Sequence, residues 1–147
     1  LAQNFESRRE GMKRAHYAVD HIGVAVLDLD QSIAHYKELF GFELYNREKL
    51  VSAGVEVAFL DTGNTFLELL VPLSSDSTLG KYMQQRGESL HHVCYEVNDI
   101  ERELERFRGL GVRLLDEIPR PGAHHSRIAF LHPKDTGGVL TELCEYP

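Results

Sequence analysis

Cysteine is scarce in this sequence. Only Cys94 and Cys144 occur, with no Cys-x-x-Cys spacing, so a disulfide framework gives way to free thiols in a reducing compartment. Positive charge is also under-represented. Against 23 Asp and Glu there are 16 Lys and Arg, a formal net charge of −7. That balance argues against nucleic acid as the main partner, while leaving room for a local basic patch that grips an anionic ligand. Long apolar runs are missing: none reaches the ~18 residues that a bilayer span needs. No secretory pattern opens the sequence, and a cytoplasmic setting is the expectation. What is present is 42% hydrophobic residues in 147 positions, enough for one domain with a real core. Residues 1–17 are polar and lack apolar periodicity. They read as a flexible leader with Met12 as a candidate start, and residues 18–147 read as a single domain.

That domain contains a repeat. Residues 19–44, VDHIGVAVLDLDQSIAHYKELFGFEL, align with residues 90–115, LHHVCYEVNDIERELERFRGLGVRLL. His21 meets His92, Val26 meets Val97, Asp28 meets Asp99, and with one gap Gly41 meets Gly111. Each copy predicts a strand, a turn, a helix, a glycine stop and further strands. Asp28 and Asp99 stand at N-cap positions. Behind them run the stripes Leu29, Ile33, Tyr36, Phe40 and Ile100, Leu104, Phe107, Leu110, whose spacings of three and four mark amphipathic helices. Strand-like runs follow at about 42–49, 55–61 and 65–71, and again at about 112–118, 126–132 and 138–146. The expected fold is α+β, two tandem βαβββ modules at about 18–72 and 89–147. Their linker should carry a short helix at Thr78–Arg86.

Strand parity selects the candidate site. Ile22, Val24 and Val26 should pack under the helix, which turns His21, Gly23 and Ala25 the other way. Val93, Tyr95 and Val97 oppose His92 and Cys94. Glu68 lies opposite Leu67, Leu69 and Val71, and Glu142 lies opposite Leu143. His21, Glu68, His92 and Glu142 can therefore share one concavity. Two imidazoles and two carboxylates suit one divalent cation such as Co²⁺, Mn²⁺, Ni²⁺, Zn²⁺ or Fe²⁺, with coordination positions left for an oxygen substrate. Such a cation polarises a carbonyl, and a neighbouring carboxylate can take the proton alpha to it. By parity His91 belongs outside the site. His124 and His125 read as loop residues, His35 and His16 as surface residues, and the cysteines as cavity-wall packing, with a Cys–His–Glu zinc set as a lesser alternative.

The stretches DHIGVAV, LELLVPLSSDSTLGKYMQQRGESLHHVCYEV and FLHPKDTGGVLTEL resemble the vicinal oxygen chelate superfamily, and within it the methylmalonyl-CoA epimerases. The resemblance runs from about Val19 to Pro147. It implies that His21, Glu68, His92 and Glu142 hold a metal, with Co²⁺ foremost, and that Glu142 also acts as acid/base. It implies epimerisation of (R)- and (S)-methylmalonyl-CoA by removal and return of the alpha proton, and it implies a homodimer. The second acid of some relatives falls on Val57 here. Glu56 would serve only if the register shifted by one residue, which would also flip its face; Glu68, a water or a loop residue are the alternatives. Lys134, Arg120, Arg127 and Lys81 are candidates for coenzyme A phosphates. A glyoxalase I-type lyase acting on a glutathione hemithioacetal could use the same four residues. An extradiol dioxygenase would need a redox-active iron with fewer protein ligands, and a non-catalytic ligand-binding member would need none of the four.

Overall fold

The structure is a computed structural model and describes residues 17–147; residues 1–16 of the expected leader, including His16, lie outside the described part. Tyr17, the last leader residue, stacks on Phe107 with ring centroids 6.5 Å apart and hydrogen-bonds through its hydroxyl to Glu103 and Arg106.

The elements run β1 (Ala18–Ala25), α1 (Leu29–Phe40), β2 (Glu43–Leu50), β3 (Val55–Asp61), β4 (Phe66–Pro72), α2 (Thr78–Arg86), β5 (Ser89–Glu96), α3 (Ile100–Gly109), β6 (Arg120–Pro121), β7 (Arg127–Leu131) and β8 (Thr141–Glu145). All eight strands join one sheet in the order β2-β3-β4-β1-β5-β8-β7-β6. β1 and β5 pair antiparallel at its centre. Each has a parallel outer neighbour, β4 beside β1 and β8 beside β5. The two copies thus sit on either side of an approximate two-fold axis between β1 and β5.

Local chemistry sets the helices. Asp28 accepts from the Gln31 N–H and Asp99 from the Arg102 N–H, so each helix starts on its aspartate. Gly41 closes α1 at φ 71° and Gly111 follows α3 at φ 79°, both left-handed conformations that glycine adopts without steric cost. One sheet face is covered by the helices. Val24, Val26, Leu67, Leu69 and Val71 pack with Leu29, Ile33 and Tyr36 of α1. Tyr95, Val97 and Leu143 pack with Ile100, Leu104 and Phe107 of α3. The ends of the two stripes escape: Phe40 and Leu110 are exposed, since each lies where its helix leaves the sheet.

The expected strand at 112–118 does not form. Leu114 makes an isolated bridge to Leu131, and between α3 and β7 the described residues form one strand, the two-residue β6. Two features break the ladder. Asp116 Oδ2 takes the Phe130 N–H that a neighbouring carbonyl would otherwise accept, and Pro119 and Pro121 offer no N–H at all. The other face of the sheet curls inward, because Val57 of β3 and Ile128 of β7 line one cavity.

Candidate metal centre

Four buried polar side chains meet at the centre of the inner face: His21 on β1, Glu68 on β4, His92 on β5 and Glu142 on β8. Register brings them together. Gly23 pairs with Glu68 on one side and with His92 on the other, while Cys94 pairs with both His21 and Glu142. His21 Nε2 lies 3.1 Å from His92 Nε2. Glu68 Oε2 is 3.4 Å from His21 Nε2 and 3.2 Å from His92 Nε2. Glu142 Oε2 is 3.7 Å and 3.0 Å from the same two atoms.

The spacings of His21, Glu68 and His92 fit a shared cation, and Glu142 Oε2 stands 3.0 Å from the His92 nitrogen of that set. Bonds of about 2.1 Å put two donors about 3.0 Å apart at right angles and about 3.4 Å apart at the tetrahedral angle. Glu68 Oε2 is buried and makes no hydrogen bond of normal geometry despite its two near nitrogens, which leaves a buried oxygen that a cation would satisfy. Two imidazole nitrogens facing each other repel, whether both are bare or both protonated. Two buried carboxylates beside them leave a charge that a divalent ion would neutralise.

Without that ion, protons supply the positive charge. At His21 burial disfavours the imidazolium, but the Glu68 charge, the hydrogen bond to Asp20 and the nearby Glu142 carboxylate outweigh it and hold the pKa well above the usual histidine value. At His92 burial is outweighed by Glu142 and Glu68, and the pKa is pushed up to about 9. For both glutamates burial works against ionisation, yet the two histidines hold the carboxyls below their usual range.

The four donors form the polar end of a cavity of about 450 Å³. Leu50, Val57, Phe59, Leu70, Leu79 and Ile128 form much of its apolar wall, and Arg120, Ser126 and Tyr146 also reach it. Arg120 lies 3.1 Å from Asp116 and stands over the Phe130 ring. Arg127 is tied to Glu101 and Glu145 away from the cavity, and Lys81 and Lys134 are not among its lining residues.

His91 was expected outside the site and lies in its wall instead. Its Nδ1 is 2.9 Å from His92 Nδ1. Burial, then the neighbouring His92 charge, lowers its pKa to about 4. Parity missed it because β5 is irregular at this residue. Asp20, whose Oδ2 is 2.6 Å from His21 Nδ1, went unnoticed for the same reason. Glu56 is not among the residues that line the cavity. The β3–β4 register runs without a shift, and Glu56 pairs with Arg47, which also holds Asp30. Glu48 is the cross-strand partner of Val57 and shares its inward face; its Oε2 accepts from the His124 N–H. His124 and His125 take positive φ of 55° and 61°. The His124 ring packs on Phe59 at 4.5 Å, and Ala123 and Ser126 line the cavity in its place. His35 is exposed on α1. Cys94, Cys144 and Ile128 pack together, and burial beside Cys144 raises the Cys94 pKa far enough to keep it a neutral thiol. Cys94 also lies with Asp20 and His21 in a second group of side chains whose ligand atoms are close enough to share an ion.

Comparison with known proteins agrees with this architecture. The sequence model of the Glyoxalase/Bleomycin resistance protein/Dioxygenase superfamily matches residues 20–130. The mitochondrial methylmalonyl-CoA epimerase of Homo sapiens is 39% identical over 126 residues, spanning 85% of this chain and 72% of that protein. The crystal structure of methylmalonyl-CoA epimerase from Mycobacterium tuberculosis superposes with a TM-score of 0.89 at 35% identity, over 95% of each chain. A Streptomyces coelicolor methylmalonyl-CoA epimerase variant in complex with 2-nitronate-propionyl-CoA gives a TM-score of 0.84 at 40% identity, over 89% of this chain and 95% of that one. With its duplicated βαβββ order, central β1–β5 pairing and inward His/Glu quartet, the chain belongs to the glyoxalase/bleomycin resistance protein/dioxygenase superfamily.

Proposed function

We propose that this chain is a metal-dependent epimerase that interconverts (R)- and (S)-methylmalonyl-CoA. The observation that carries the reading is the cluster of His21, Glu68 and His92, with Glu142 beside both histidines, whose donor atoms lie 3.0–3.7 Å from one another's nitrogens at the end of an apolar cavity. The epimerase names of the homologues and structural neighbours support the substrate.

His21, Glu68, His92 and Glu142 would hold one divalent ion, with Co²⁺ as the proposed species. When bound, that ion supplies Lewis-acid polarisation of the thioester carbonyl, which lowers the cost of ionising the alpha carbon. The chain does the rest. The apolar wall of Val57, Phe59, Leu70 and Leu79 excludes water from the reacting carbon. Glu142 takes the alpha proton. Inversion needs a second group on the opposite face of the planar intermediate, and Glu68 is proposed for it. β4 and β8 flank the central β1–β5 pair from opposite sides, so the two carboxylates approach the cavity from opposite directions. Arg120 at the cavity wall is the proposed contact for the anionic end of the substrate. A cytoplasmic homodimer is the proposed setting.

Deuterium wash-in at the alpha carbon in D₂O tests the reading. Exchange should need added Co²⁺ and should vanish in Glu142→Ala. With Glu68→Gln, one epimer should still exchange while interconversion falls at least 100-fold, the order expected for loss of one acid/base group. No exchange with any divalent metal would refute the epimerase. Isomerisation of the methylglyoxal–glutathione hemithioacetal would then identify a lyase built on the same quartet.

A further inference from the structure

Both ligand histidines are preceded by a residue that sits in a β-bulge. β1 pairs Val19 with Tyr95 and His21 with Cys94, so Asp20 is the extra residue on its strand. β5 pairs His92 with Gly23 and Leu90 with Val24, so His91 is the extra residue there. Asp20 and His91 occupy the same place in the repeat, one before His21 and one before His92. A bulge interrupts alternation and re-aims a side chain that would otherwise point to the far face. Here each re-aimed side chain reaches Nδ1 of the histidine that follows it. Asp20 Oδ2 lies 2.6 Å from His21 Nδ1, and His91 Nδ1 lies 2.9 Å from His92 Nδ1.

The consequence is a choice of tautomer. A carboxylate only accepts, so His21 must carry a proton on Nδ1. The His91–His92 contact joins two imidazoles, either of which can donate; with His92 Nδ1 as the donor and His91 Nδ1 as the acceptor, the second ring takes the same tautomer. With a cation bound, each ring would then present an unprotonated Nε2, and these are the two atoms that stand 3.1 Å apart beside Glu68 and Glu142. Asp20 is itself held, since the Tyr146 hydroxyl lies 3.1 Å from each of its oxygens. The His91 ring meets the edge of Tyr82 with centroids 4.8 Å apart.

We propose that Asp20 and His91 are positioning residues that lock His21 and His92 as Nδ1–H tautomers, so that both Nε2 lone pairs face the cation. The proposal rests on the metal-centre reading above. The two copies place a partner at the same point by the same bulge but use different chemistry: an anion behind His21, an imidazole behind His92. A charge-assisted bond is the stronger of the two, so the first partner matters more.

Zn²⁺, which is diamagnetic, serves as the probe. Its affinity is read by competition with a chromogenic chelator. Long-range ¹H–¹⁵N spectra of histidine-labelled protein report which ring nitrogen holds the proton. Wild type should show two rings protonated at Nδ1 and metallated at Nε2. Asp20→Ala should weaken Zn²⁺ binding by about 10–100-fold, the usual cost of losing such a partner. His91→Ala should weaken it less, and Asp20→Asn, whose amide oxygen still accepts, should recover most of the loss. If the alanine variants do not fold, Asp20→Asn and His91→Asn carry the test: the first should shift only the His21 Nδ1 proton upfield, the second only that of His92. Affinities within twofold of wild type, or zinc on Nδ1, would overturn the proposal. A His92→Ala control separates the two readings. If His92→Ala loses Zn²⁺ while Asp20→Ala and His91→Ala keep it, only the positioning roles fail. If wild type binds no Zn²⁺, the metal centre fails and the positioning roles with it.

Discussion

A methyl group added at Gly23 would fall 2.2 Å from Cε1 of His92. The glycine is therefore part of the site, because it leaves the space that the imidazole fills. Gly23→Ala is expected to cost about 1–3 kcal/mol of stability, as overpacking does, and to lower Zn²⁺ affinity at least tenfold by pushing His92 off its place. Thermal melts and chelator competition check both, and unchanged affinity would show that the ring has another berth. At this scale the sequence is partly legible. Parity alone turned His21, Glu68, His92 and Glu142 to one face, since each faces away from apolar residues that pack under a helix. Asp20 and His91 were invisible to parity, because a bulge forms only when a particular neighbour strand pairs with a particular register.

Among the elements, α1 and α3 are the most self-contained. Each begins on an aspartate whose carboxylate accepts an N–H of the first turn, at 2.9 Å for Asp28 and 3.0 Å for Asp99. Asp28→Ala and Asp99→Ala should each lower stability by about 1 kcal/mol in urea titrations, as loss of an N-cap does. A change below about 0.3 kcal/mol would mean that packing on the sheet holds the helix start unaided. Local signals of this kind are readable because they act within one turn of chain. The run 112–118 looked like a strand for an equally local reason, its apolar residues. Its failure depends on Asp116 meeting the Phe130 N–H across a sheet edge. Leu104 of α3 is nearly fully buried against β7 and β8, and Leu104→Ala is expected to cost about 2–5 kcal/mol.

For the whole molecule, the quartet couples stability to pH and to metal. Held up to about 9 in the metal-free fold against an unfolded value of about 6.5, His92 contributes stability that is complete below the lower figure. That contribution is lost as the pH rises through the higher one. The glutamates act in the opposite sense: their lowered pKa values give stability that is lost on acidification. Chelated protein should therefore melt highest near pH 5–6.5, between the unfolded carboxylate and imidazole values, with Tm declining toward about pH 9. Saturating divalent metal should raise Tm and remove the decline, because the cation takes over the protons' role. Calorimetry with and without chelator measures both; a metal-free Tm that climbs from pH 6.5 to 9 would contradict the charge assignment.

The sequence by itself determined the duplication, the two capped helices, the alternation that separates packed from inward faces, and the identities of the four inward His and Glu residues. These follow from chemistry within a few residues of chain and from comparing one half with the other. Tertiary structure decided the rest. The antiparallel β1–β5 pairing brings residues 71 positions apart to 3.1 Å. The curl of the sheet makes a cavity from strands β3 and β7. The bulges at Asp20 and His91 turn two neighbours of the ligands toward the ligands' own nitrogens. Pairing, curvature and bulging depend on which strands meet and in what register, and no single stretch of sequence carries that information.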